Sequence, residues 1–160
     1  MNPFFKTLPS LVAALFSLSH QAMANAIEFP QYGFQIDALD APASEQPASA
    51  LIMFLPPSDG FSPNINIQIQ PYTGTIKEYA DLSKGQFSKM NWKVLSESQP
   101  AENEWVVEYE GTTTGRDLHF LARAVAKEGK VYLVTATAAK SQWESVQETL
   151  KKHVQSFQKK

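Results

Sequence analysis

The sequence predicts an α+β protein, an antiparallel β-sheet flanked by helices, and three observations predict it. Period-two or continuous apolar segments follow one another across short turns, as in "NINIQIQPY" (64–72), "EWVVEYEG" (104–111) and "RDLHFLARAVAKEGKVYLVTATA" (116–138). Apolar residues at helical spacing occur in two stretches, one after Thr75 and one at the C-terminus. The resulting order, β-β-β-α-β-β-β-β-α, contains hairpins instead of regular β-α crossovers, which argues for antiparallel pairing.

The chain opens on "MNPFFKTLPSLVAALFSLSHQAMA", with Lys6, an apolar run from Leu8 to Leu18 and small residues at Ala22 and Ala24. This is the pattern of a secretory signal peptide cleaved after Ala24, and the run is too short to cross about 30 Å of hydrocarbon. The expected organisation is therefore a signal peptide over 1–24 and one domain over 25–160, delivered to the periplasm or secreted. The remaining 136 residues are enough to bury one core.

The stretch "IEFPQYGFQIDAL" (27–39) alternates imperfectly, and Pro30 and Gly33 suit an edge strand or a turn leading into one. After the surface loop "DAPASEQPASA", the continuous apolar run "LIMFLPP" (51–57) reads as a strand covered on both faces. Ile65, Ile67 and Ile69 then alternate with Asn66, Gln68 and Gln70, the clearest strand in the chain. Thr75 and Glu78 form a T-x-x-E capping box that opens a helix with Ile76, Tyr79, Ala80, Phe87 and Met90 on one face. Gly85 inside it costs about 1 kcal/mol relative to Ala. "WKVLSES" (92–98) is the next strand, and "KEGK" splits the long apolar stretch, with Gly129 in the left-handed position of a three-residue loop. A second box, Ser141 with Glu144, opens the last helix, whose stripe is Trp143, Val146, Leu150, Val154 and Phe157.

Pairing the strands so that apolar residues meet sets Tyr109 against Leu118, Val107 against Phe120 and Trp105 against Ala122. The opposite face then pairs Glu104 with Arg123, Glu108 with His119 and Glu110 with Asp117. Carrying the three-residue loop into the next hairpin sets Ala122 against Val134, Ala124 against Tyr132 and Phe120 against Ala136, a single apolar face. On this reading Ala136 and Ala138 are small because they seat the last helix, with Trp143, against the sheet.

Composition limits function more than it assigns one. Lys6 is the only charged residue in the signal peptide, so the rest carries 13 basic against 16 acidic side chains, a balance with no footprint for nucleic acid or anionic lipid. Lys151, Lys152, Lys159 and Lys160 suit the carbonyl end of a helix. There is no Cys, hence neither a disulfide framework nor a lipid-attachment thiol. Zinc spacings, P-loops, G-x-G-x-x-G and G-x-S-x-G are absent, and Ser58-Asp59-Gly60 reads as a turn. No catalytic residue and no cofactor is expected.

Two features are candidates for binding. Glu108, Glu110, Asp117 and His119 converge at one end of the hairpin, a donor set for a divalent cation; the competing reading is a solvated strand face. His20 leaves with the signal peptide and His153 flanks the last helix's stripe. Trp105, Tyr109, Tyr132 and Trp143 fall at core spacings, whereas Phe61, in "PPSDGFSPN", has no periodic support and is a candidate partner contact.

"YGFQIDAL" followed by "NINIQIQP" and "TIKEYA", then "GKVYLVTATA" with Trp143 beyond it, and the closing "VQSF", resemble the PsbP superfamily, which includes Mog and DcrB-like envelope proteins. The resemblance implies an α-β-α sandwich around an antiparallel sheet. It also implies a non-catalytic role, binding or stabilising a protein partner in the cell envelope. The alternative is a periplasmic small-ligand or divalent-cation binding protein.

Overall fold

The structure, a computed structural model, describes residues 26–29, 33–37 and 48–158. The signal-peptide features, Pro30, Lys159 and Lys160 lie outside them. The chain divides into two compact units, Met1–Pro42 and Ala43–Lys160. In the first, β1 (Ala26–Phe29) and β2 (Phe34–Asp37) pair antiparallel from Ala26↔Asp37 to Phe29↔Phe34, so the stretch expected to give an edge strand or a turn leading into one gives two paired strands.

The second unit holds six antiparallel strands: β3 (Ala48–Phe54), β4 (Asn64–Pro71), β5 (Lys93–Ala101), β6 (Glu104–Thr113), β7 (Arg116–Lys127) and β8 (Lys130–Ala139), in the spatial order β3-β4-β8-β7-β6-β5. Helix α1 (Ile76–Lys89) joins β4 to β5, and α2 (Trp143–Gln155) follows β8. Among the described residues no helix is long and apolar enough to cross a membrane.

Helix α1 starts as its sequence dictates. The Thr75 hydroxyl accepts from the Glu78 amide at 3.2 Å and the Glu78 carboxylate accepts from the Thr75 amide at 2.8 Å, closing the capping box. The second box does not form. Gln142 is the N-cap of α2, already has right-handed helical geometry and makes no side-chain cap, because the chain enters through turns in which Gln142 and Trp143 donate to the carbonyls of Ala139 and Lys140.

Two corrections concern register. Between β6 and β7, Tyr109 pairs with Phe120 and Glu110 with His119, a displacement of two residues that leaves every side chain on its expected face. The displacement arises because the turn is tight: Thr113 pairs with Arg116, and Thr114 and Gly115 both take positive φ, 49° and 75°. Between β7 and β8 the displacement is a single residue, which reverses the faces. Lys127 pairs with Lys130 across a two-residue turn with Glu128 at φ 52° and Gly129 at φ 73°, the conformation a type I′ turn requires. Ala136 therefore faces with Leu121, not Phe120.

The reversal gives the sheet two buried faces instead of one. On the first, Ile76, Tyr79 and Phe87 of α1 pack with Trp105, Val107, Tyr109, Phe120 and Val131. On the second, Trp143, Leu150 and Val154 of α2 pack with Ile65, Leu121, Val134, Ala136 and Ala138. Strand β7 is central, and Leu118 to Ala122 are buried without a break. Val107, Val131 and Val134 are almost fully enclosed, each stabilising by about 1.5–3 kcal/mol relative to exposure.

Strand β3 is an edge, not a strand covered on both faces. Met53 and Leu55 pack against the α2 core, while Ile52 is 47% exposed and Phe54 60%. Helix α1 lies against β5, β6 and β7 and leaves this side of β3 uncovered. Gly111 answers a different need: a side chain there would collide with the indole of Trp92, which stacks with Phe87, Tyr109 and Phe120.

Candidate functional site

The β6–β7 register puts Glu110 directly opposite His119, with Glu108 diagonal to it on the same face. The imidazole Nε2 lies 2.7 Å from a Glu108 oxygen and Nδ1 lies 3.3 Å from a Glu110 oxygen. A ring with a proton on each nitrogen donates to both. On its other side His119 pairs with Ala138 of β8, whose methyl leaves room for the indole of Trp143 to stack on the imidazole, 3.9 Å between centroids and 17° from parallel. The abrupt fall to small side chains at Ala136 and Ala138 is thus a seat for two rings, one from the sheet and one from the first residue of α2.

Each carboxylate also has an ammonium. Lys140 donates to Glu110 at 2.7 Å, and Lys151 of α2 stands 3.8 Å from Glu108 and 5.7 Å from the centre of the Trp143 ring. The Lys140 hydrogen bond holds the Glu110 carboxyl below the usual carboxylate range against the opposing effect of burial, with a smaller contribution from His119. In return Glu110 raises the Lys140 ammonium. Asp117 sits one pair further along and accepts from the Thr112 hydroxyl at 2.6 Å, apart from the Glu108–His119–Glu110 group. Among the described residues no group of three or more His, Asp or Glu side chains is arranged to hold a metal ion. Helix α2 covers this face, which the sequence reading treated as solvated: His119 is 5% exposed.

Phe61 is half-buried against the α1 core, in a turn where Asp59 and Gly60 both take positive φ. Arg116 lies 5.6 Å over its ring and donates to the carbonyls of Asp59 and Gly60. Gln142, 4% exposed, holds the same turn from the other side by donating to the Ser58 carbonyl and, at 3.2 Å, to that of Phe61. Sequence reasoning missed Gln142, whose only signal is an amide standing between two apolar stretches.

Sequence reasoning also missed the second role of Arg123. It makes a two-pronged ion pair with Glu104, at 2.8 and 3.0 Å, and its remaining nitrogen donates to the carbonyls of Val154, Gln155 and Phe157 at the end of α2. The polar groups of this face fasten both ends of α2 to the sheet.

Comparison with known proteins agrees with this architecture. The PsbP family profile matches residues 70–159, from the end of β4 through α2. The chain belongs to the PsbP family. Among solved structures, this PsbP-family chain is similar to PA94, a Pseudomonas aeruginosa protein of unknown function, at 14% identity and a TM-score of 0.63, over 85% of this chain and 96% of the other. It is also similar to the cyanobacterial PsbP, CyanoP, of Synechocystis, at 13% identity and a TM-score of 0.46, over 91% and 99% of the two chains. A third is LpqN of Mycobacterium tuberculosis, described as involved in cell envelope biogenesis, at 11% identity and 0.38, over 66% and 79%. At these identities the PA94 likeness establishes the fold alone. No curated protein sequence matches the chain.

Proposed function

We propose that this protein is exported, loses residues 1–24, and acts without catalysis as a PsbP-like domain over 25–160 that binds or stabilises a protein partner in the cell envelope. The observation that carries the reading is the family match over residues 70–159, since the resemblance implies assembly and stabilising roles. One helix on each face of the sheet suits the α-β-α sandwich of that family. The polar side chains support it too. Glu108, Glu110 and His119 are engaged with one another, with Lys140 and with Trp143, so we read them as a strut for α2 in preference to a cation site. Phe61, anchored by Arg116 and Gln142, would present its half-exposed ring to a partner from a fixed turn.

Two measurements test the proposal. Mass spectrometry of the chain from its own cells should find Asn25 as the N-terminus; an intact Met1 in the envelope fraction contradicts export. Capture of the tagged chain after crosslinking should return the same protein repeatedly, and that protein as bait should return the chain. Failure of the reciprocal capture contradicts partner binding.

A further inference from the structure

Between α1 and the β4 side of the sheet lies a cleft of about 530 Å³, within the size range of small-molecule sites. Its floor is apolar, with Leu133, Ala122 and Val107, and its walls are Tyr and Trp rings interleaved with amides. Among the described residues no Asp, Glu, Lys, Arg or His lines it. An ionic ligand would give up its hydration there without gaining a counter-charge.

The polar groups of the walls are ordered by one another. The Tyr79 phenol donates to Gln70 Oε1 at 2.8 Å, and Gln70 Nε2 donates to Gln68 Oε1 at 3.1 Å. The relay ends on Gln68 Nε2, for which no acceptor is found among the described residues. Burial pushes the Tyr79 phenol up to about 12, so it stays a donor throughout the physiological range and fixes the direction of the relay. Tyr72 stands edge-on to Tyr79, 5.3 Å between centroids, and adds a half-buried aromatic wall.

A purely aliphatic ligand would cover Gln68 Nε2, the end of the relay, and leave it unpaired. A ligand with alternating hydroxyls and C–H faces meets both needs, giving hydroxyls to Gln68 and Gln70 and a C–H face to the half-buried ring of Tyr72. We infer that the cleft between α1 and β4 binds a neutral sugar ring. The inference goes beyond the partner reading and does not depend on it.

The test uses the mature chain, with maltose and N,N′-diacetylchitobiose as neutral probes and glucuronate and decanol as controls. NMR titration should shift the side-chain amides of Gln68 and Gln70 with at least one neutral sugar, and should leave them unmoved with either control. Gln68→Leu should weaken that binding about tenfold, the effect of losing one hydrogen bond, and leave the midpoint of thermal unfolding in place. Tyr79→Phe, which releases the relay but keeps the ring, should weaken it by a similar factor. No shift with either sugar up to its solubility limit overturns the inference. So does equal binding of glucuronate, preferential binding of decanol, or sugar binding that Gln68→Leu does not affect.

Discussion

At the scale of single residues, the Glu108–His119–Glu110 group shows how charge is made tolerable beneath a helix. Two carboxylates on neighbouring positions of one strand face would repel; the imidazole stands between them, and the ammonium groups of Lys140 and Lys151 at the rim offset that repulsion. Because Lys140 lowers the Glu110 carboxyl, the stability this pair contributes is fully present above the unfolded value, near 4.5, and is lost as pH falls through the depressed folded value. Lys140→Met should therefore narrow the gap between native and variant stability progressively in acid and leave a constant gap from about pH 5 through neutrality. Denaturant melts across the acid range check this, and a gap that widens in acid contradicts the sign. Asp117 joined the candidate site only through the two-residue displacement of register; its actual neighbour Thr112 was hidden inside "GTTTG", where turn length decides the pairing.

At the scale of elements, the seat for α2 is the feature to test. Ala136 is fully buried in the same cluster as Trp143, so Ala136→Leu should destabilise by about 1 to 3 kcal/mol through overpacking and Trp143→Ala by about 3 to 5 through the cavity left behind. In the double variant the added side chain partly refills that cavity, and the effects should fall short of additivity by more than about 0.5 kcal/mol. Unfolding free energies of the four proteins decide it; additivity means the two residues do not share a packing layer. Most elements were legible in the sequence, because Ile65, Ile67 and Ile69 alternate with polar residues at the strand period and Thr75 with Glu78 precedes an apolar stripe at helical spacing. The reversal at Glu128-Gly129 was not. A non-glycine residue at φ 52° carries no sequence mark as plain as Asn, so a two-residue loop and a bulged three-residue loop read alike. Edge position was equally hidden in "LIMFLPP", since a run of apolar residues says nothing of where α1 stops.

At the scale of the whole molecule, the covered sheet and its two helices account for stability in a chain with no Cys, and every polar group fastening α2 is spent on that task. Under the proposed function, what remains outward is a surface for another protein. The most direct measurement is the sedimentation of the native protein in a gentle envelope extract from the cells that make it. Partner binding predicts a discrete species heavier than the mature chain, in which the chain and one other protein keep a fixed ratio through successive purification steps. Sedimentation of all the protein as the free chain, in an extract where known envelope complexes stay intact, would contradict it.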